Sequence, residues 1–177
     1  MTQRQPRAGE TFQILVVDDH PIVRHGLRQI IDQEQDLAVC GEAEDASTAL
    51  EKLESSSPDM AVVDLSLGES DGLVLIKEIQ KRYSWMPILV VSMHDETLYA
   101  ERVLRAGALG YVNKQEATEK MIPAIRSVLA GGIFVSEEVT ERMLARRVKG
   151  DPIAGGSPLQ LLSDRELQVF GLIGQGL

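Results

Sequence analysis

The chain has 177 residues, 44% of them hydrophobic and 25% charged, with a formal net charge of -9. That length supports one well-packed domain and a small remainder. The acidic balance argues against a nonspecific polyanion binder, and the one cysteine, Cys40, excludes an internal disulfide or a cysteine metal cluster. No apolar run approaches the length of a membrane span, and the polar start, Met1 to Glu10, lacks a signal-peptide apolar region. The expectation is a cytoplasmic protein with no membrane segment and a flexible N-terminal tail over residues 1–11.

The first apolar run, Phe12–Val17, reads as a strand buried on both faces, and two adjacent acids, Asp18 and Asp19, follow it directly. Pro21 suits the first turn of a helix, where its missing N–H costs nothing, and Ile22, Val23, Leu27, Ile30 and Ile31 line one face of that helix. A second strand is expected over Leu37–Ala43, with Cys40 as a buried small hydrophobe. Ala46, Ala49, Leu50 and Leu53 mark a second helix. A third strand, residues 60–64, ends in Asp64. Leu73, Ile76 and Ile79 mark a third helix, Ile88–Ser92 a fourth strand, and Leu98, Val103 and Leu104 a less periodic helix over Glu96–Ala106. A fifth strand, Gly110–Asn113, runs into Lys114, and Met121, Ile122, Ile125, Val128 and Leu129 line the fifth helix.

Five strands alternating with five helices predict an α/β fold, a doubly wound parallel sheet covered on both faces. Beyond Leu129 the pattern changes. Gly131-Gly132 breaks the fifth helix, residues 137–148 read as a further helix, and residues 149–158 are a linker by composition. Ser163 and Glu166 have capping-box spacing and Leu162 and Leu167 can form a hydrophobic staple, so another helix is expected to begin there. The cluster Arg146-Arg147-Lys149 reads as the basic end of a helix rather than a nucleic-acid patch.

A parallel sheet of this kind binds ligands outside the carboxyl ends of its strands. Asp18, Asp19, Asp64 and Ser92 fall at such ends, and Lys114 follows the fifth strand. The carboxylates cannot all stay ionised at close quarters without a cation. All-oxygen ligation by few carboxylates describes magnesium better than calcium. A lysine, a hydroxyl and a magnesium ion are what a transferring phosphoryl group requires. Carboxylates form acyl phosphates, and Asp64 is the candidate nucleophile because it stands alone while Asp18 and Asp19 are paired. His20 and His94 read as a polar rim rather than transition-metal ligands.

The ordered set Ile14-Leu15-Val16-Val17-Asp18-Asp19-His20-Pro21, Val62-Val63-Asp64-Leu65, Asp71-Gly72, Val90-Val91-Ser92 and Ala106 through Lys114 resembles a response-regulator receiver domain. His20-Pro21 and the exit Gly131-Gly132-Ile133-Phe134-Val135-Ser136 resemble the NarL/FixJ branch. The segment Leu162 to Glu166, with Val169 and Gly174-Gln175-Gly176-Leu177, looks like the opening helix of a LuxR-type helix-turn-helix.

The resemblance implies a flavodoxin-like receiver over residues 12–133, a helical segment and linker over 134–158, and an incomplete helix-turn-helix over 159–177. It further implies that Asp64 accepts a phosphoryl group from a histidine kinase. Asp19 and Asp64 then ligate magnesium directly with the backbone carbonyl of Ser66, and Asp18 holds a metal-bound water. Ser92 and Lys114 bind the phosphoryl oxygens, and Tyr111 is an aromatic switch that follows Ser92. A separate expectation, outside the resemblance, is that His94 and Ser66 flank the path of hydrolytic water. Two positions depart from the commonest pattern: Gly68 stands where proline is frequent, predicting a looser loop, and Gln115 follows Lys114 where proline is frequent, predicting a trans bond.

The resulting expectation is a self-phosphorylating transcriptional regulator, not a turnover enzyme, that forms a homodimer on phosphorylation. DNA is a partner of the complete protein and not of this chain, because a helix-turn-helix needs its second helix. The competing readings are a DNA-silent receiver that relays phosphoryl groups or titrates a partner, a phosphatase of another aspartate-nucleophile fold, and a flavin binder of the same architecture. Asp18-Asp19 would repel a flavin phosphate.

Overall fold

The computed structural model describes residues 11–149. Of the linker expected over residues 149–158, Lys149 is helical and the rest lies outside the described residues, as do the helix opening at Ser163 and the N-terminal tail before Thr11. Two compact units divide the chain, Met1–Ser136 and Glu137–Leu177. The first unit holds, in chain order, β1 (Phe12–Val17), α1 (Pro21–Asp32), β2 (Leu37–Ala43), α2 (Ala46–Ser56), β3 (Met60–Val63), β4 (Ser66–Leu67), β5 (Ser70–Asp71), α3 (Gly72–Arg82), β6 (Ile88–Ser92), α4 (Glu96–Ala106), β7 (Gly110–Asn113), a 3-10 turn over Lys114–Glu116 and α5 (Ala117–Leu129). In the second unit the described element is α6 (Glu137–Lys149), where a helix over residues 137–148 was expected; the side chains of Arg146 and Arg147 lie outside the description.

Five strands form one parallel sheet in the order β2-β1-β3-β6-β7. This is the doubly wound flavodoxin-like receiver fold. Its central strands β1, β3 and β6 are short apolar runs rich in Val, Ile and Leu, the pattern a sheet covered on both sides requires. Ile14 to Val17 of β1, Met60 to Val63 and Ile88 to Ser92 are buried throughout. Alternate strand residues Ile14, Val16, Met60, Val62, Leu89, Val91 and Val112 pack with Leu27 and Ile31 of α1 and with Met121, Ile125 and Val128 of α5 in one cluster. Opposite them in the pleat, Leu15, Val17, Ala61, Val63 and Val90 are equally buried.

Several local expectations need correction. Ile22 does not face the core: it is 82% exposed, while Val23, Leu27, Ile30 and Ile31 form the face of α1 that packs against the sheet. The third strand ends at Val63, so Asp64 is the first residue beyond it. Cys40 is half-buried rather than fully buried, at an alternate position of β2, and what burial it has pushes its thiol up. In place of a looser loop at Gly68, residues 66–71 form a small antiparallel hairpin, Ser66 opposite Asp71 and Leu67 opposite Ser70, with Gly68 at φ +60 in the left-handed region that glycine tolerates. Gln115 sits in the 3-10 turn, and the described residues contain no cis peptide bond, as expected there.

The start of α3 sets the height of the third strand end. Asp71 caps the helix, its Oδ1 accepting the Leu73 N–H at 2.8 Å. The Gly72 N–H then donates to the Leu65 carbonyl at 2.9 Å. A Cβ on Gly72 would lie 2.1 Å from the Asp64 carbonyl oxygen and 2.6 Å from the Leu65 Cα. Backbone atoms cannot swing aside as a side-chain tip can, so only glycine permits this approach. Replacing Gly72 with alanine is expected to destabilise the protein by about 2 kcal/mol despite alanine's better helix propensity; a chemical-denaturation curve measures it, and an unchanged midpoint would show that α3 can back away freely.

Candidate functional site

The site follows from register. Val17 of β1 lies beside Val63 of β3, so the next residues, Asp18 and Asp64, leave adjacent strands at the same level. The Asp64 N–H donates to the Val17 carbonyl at 2.9 Å and the Asp18 N–H to the Ala43 carbonyl at 3.0 Å, which carries the strand ladder one step past the apolar runs. Ser92 pairs with Asn113 across β6 and β7, which delivers Lys114 to the same end of the sheet. Between β1 and β3 the strand order reverses, the switch point at which open α/β sheets bind ligands.

Lys114 reaches back across the sheet. Its Nζ lies 2.7 Å from Asp64 Oδ2 and 2.6 Å from Asp18 Oδ2, with the lysine side chain 10% exposed. Asp19, half-buried, has its Oδ1 2.6 Å from Nδ1 of the exposed His20. The structure thus gathers Asp18, Asp19, His20 and Asp64 so that one ligand atom from each lies within 4.8 Å of the others. Three of the four are the acids singled out in the sequence. His20, read as a rim residue, is on the rim but within the cluster.

Electrostatics at the site are unbalanced. Burial pushes the Asp64 carboxyl above the usual carboxylate range; Lys114 opposes that shift and the Asp18 charge adds to it. Burial works against the Lys114 ammonium, and its hydrogen bonds to Asp18 and Asp64 outweigh it, holding Lys114 above the usual lysine value. Among the described residues, Asp64 Oδ1 is buried with no hydrogen-bond partner. Asp18 Oδ2 and Asp19 Oδ1 also lack hydrogen-bond geometry, although Lys114 and His20 approach them as ion pairs. Buried oxygens left unpaired in this way are rare and call for an ion or water. The three carboxylates of this cluster are oxygen donors that fit a hard divalent cation such as magnesium.

Ser92 is buried at the end of β6, and its Oγ accepts the His94 N–H at 3.3 Å. Tyr111 is buried, its hydroxyl donating to the His94 carbonyl at 2.8 Å, and burial pushes its phenol well above the usual tyrosine value. His94 and Ser66, separated by 28 residues in sequence, meet: Ser66 Oγ and His94 Nε2 are 3.0 Å apart, and the imidazole stacks on Tyr99 with ring centroids 4.7 Å apart. Burial lowers the His94 pKa below the usual histidine value. The sequence reading did not single out Arg24 or Tyr99. Arg24 sits among α1 polar residues that look like ordinary helix surface, and only the structure shows its guanidinium turned toward Asp18.

That sheet order, with an acid–lysine pocket at its switch point, is the receiver architecture. The response regulator receiver domain family matches residues 14–126. Over 170 residues the chain is 33% identical to the oxygen regulatory protein NreC of Staphylococcus haemolyticus, covering 93% of this chain and 78% of that one. It is 31% identical to the response regulator UvrY of Escherichia coli over 165 residues, 93% of this chain and 75% of UvrY. Among solved structures, a LuxR-family two-component response regulator from an Aurantimonas species superposes with a TM-score of 0.72 at 34% identity, over 78% of this chain and 99% of that chain. The chain belongs to the two-component response regulators, in their NarL/FixJ branch. No described helix is long and apolar enough to cross a membrane.

The excess of buried negative charge has a direct consequence. In metal-free protein, Asp64→Asn is expected to raise the thermal midpoint at neutral pH by about 2–6 °C, because it removes a desolvated charge while Lys114 keeps Asp18. A carboxyl whose pKa is raised by folding carries no penalty below the unfolded carboxylate pKa and the full penalty above its folded value. The advantage of Asn should therefore shrink as pH falls toward 4. Thermal melts in chelator across that range measure it; a less stable Asn variant at neutral pH contradicts the charge balance described here.

Proposed function

We propose that Asp64 is the phosphoacceptor of this response regulator and that the donor is the phosphohistidine of a histidine kinase. The observation that carries this reading is the Asp64 carboxylate itself: one oxygen is paired with Lys114 and the other is buried without a partner. In the transfer, an Asp64 oxygen forms a bond to phosphorus as the phosphorus–nitrogen bond to histidine breaks, and the imidazole leaves with its electron pair and takes a proton. Asp19, Asp64 and the backbone carbonyl of Ser66 would hold magnesium, with Asp18 acting through a water. The ion supplies charge neutralisation to the transferring group. Lys114 and Ser92 bind the phosphoryl oxygens, a positive charge and a hydroxyl at the ends of neighbouring strands. His94 and Ser66, in contact over the site, border the approach of hydrolytic water.

Tyr111 is the switch aromatic in this reading. Its inward, buried hydroxyl is tied to the carbonyl of His94, two residues from Ser92, so a movement of Ser92 toward the phosphoryl group is felt at the same loop. Phosphorylation then biases a surface built from α4, β7 and α5 toward a homodimer. Residues 12–133 form the receiver, and the protein regulates transcription. The protein acts in the cytoplasm and is a self-phosphorylating and self-dephosphorylating regulator, not a turnover enzyme. A related solved structure, RcsB of Salmonella typhimurium, is described in terms of DNA interaction and matches over 95% of this chain at 27% identity and a TM-score of 0.68.

Incubation with magnesium and acetyl phosphate, followed by intact-mass measurement, tests the phosphoacceptor. One acid-stable, base-labile phosphoryl group is expected on the wild type, absent in Asp64→Asn and reduced about 100-fold in rate in Lys114→Ala. Unchanged labelling of Asp64→Asn would remove Asp64 from the role.

A further inference from the structure

Arg24 lies outside the acidic cluster and has no part in the chemistry above. It stands on the first turn of α1, and its side chain is 13% exposed. Two prongs of the guanidinium are engaged: Nη1 donates to the Asp18 carbonyl oxygen at 2.5 Å, and Nε lies 3.4 Å from Glu42 Oε2. The other Glu42 oxygen, Oε1, accepts from Arg28 Nε at 2.5 Å. Arg28 in turn donates through Nη1 to the Val39 carbonyl at 3.3 Å and lies 3.6 Å from Asp32 Oδ2, while Asp32 Oδ1 accepts the Val39 N–H at 2.8 Å. A continuous polar ladder therefore runs from the middle of β2 to the peptide that joins Asp18 to Asp19.

That peptide decides where both acids point. The Asp18 N–H is held by Ala43 and Asp18 Oδ1 accepts the His20 N–H at 2.8 Å. Arg24 is the side chain on the remaining group, the carbonyl between the two acids. The rigid plane of this peptide carries the Cα of both acids, so its rotation re-aims the Asp18 and Asp19 carboxylates relative to Asp64. A magnesium ion demands near-ideal octahedral geometry and tolerates little of this.

We infer that Arg24 is a positioning residue for the cation seat: clamped by Glu42, it fixes the Asp18–Asp19 peptide and so sets those two carboxylates against Asp64. The inference rests on the magnesium reading given above. A lysine at position 24 would keep the charge but not the two-pronged fork, which separates positioning from simple electrostatic attraction.

The experiment is a magnesium titration of the full chain followed by backbone-amide NMR, on the wild type, Arg24→Lys and Glu42→Ala, with Asp19→Asn as the seat control. Metal-free thermal midpoints are recorded for each. The expected result is an approximately 10-fold weaker magnesium affinity for Arg24→Lys, the scale of losing a group that orients a metal ligand. Glu42→Ala should weaken affinity in the same direction, and the metal-free spectra of both should change at Asp18, Asp19 and His20 while the sheet resonances stay in place. Wild-type affinity in a folded Arg24→Lys overturns the inference, and should that variant not fold, wild-type affinity in Glu42→Ala overturns it equally. Affinity losses accompanied by resonance changes throughout the sheet also overturn it, since they mark a general structural role. A wild type whose Asp18, Asp19 and Asp64 amides ignore magnesium removes the seat itself, and the positioning role with it.

Discussion

More negative charge is buried at one end of this sheet than the protein neutralises there. Asp18 and Asp64 are both inside, Asp19 is half-buried beside them, and Lys114 serves Asp18 and Asp64 at once. Carboxylates at such distances raise one another's pKa and depend on a cation for relief. Burial raises the Asp64 carboxyl and the Asp18 charge adds to that, the two carboxylates hold Lys114 strongly, and one Asp64 oxygen is buried without a partner. A site built this way suits a hard divalent cation.

Topology explains how so much charge comes to one place without a long loop to carry it. In a parallel sheet every strand delivers its carboxyl end to the same edge, and the reversal of order between β1 and β3 opens a crevice there. Gly72 lets α3 press directly onto the backbone of Asp64 and Leu65, and the Asp71 cap starts that helix at the right level. On the other flank, the ladder from β2 through Arg28, Glu42 and Arg24 reaches the Asp18 carbonyl. Asp64 and the paired acids Asp18 and Asp19 are thus braced from opposite sides, by α3 and by the β2–α1 ladder.

How legible this was depends on range. Strand runs such as Ile14 to Val17 and Ile88 to Val91 are dictated by the need for apolar side chains on both faces, and they appear in the sequence as they appear in the sheet. Because parallel strands align their ends, the positions of Asp18, Asp64, Ser92 and Lys114 at one edge were legible too. Helix faces were read less well: Ile22 was expected on the inner face of α1, but it is exposed while Val23, Leu27, Ile30 and Ile31 form that face. The hairpin of residues 66–71 depends on Gly68 taking a positive φ, which composition permits but does not announce. Least legible was the Arg24 fork, because nothing in local pattern distinguishes such a residue from solvated surface.

The central claim is that unrelieved buried negative charge, rather than packing, makes this site a cation seat. Thermal unfolding of the wild type at rising magnesium concentration, against sodium chloride at matched ionic strength, tests it most directly. Ligand linkage predicts a saturable rise in stability with magnesium, about 2.7 kcal/mol at 100 times the dissociation constant, and little change with sodium chloride. Equal shifts with the two salts would mean general screening alone and would contradict the account.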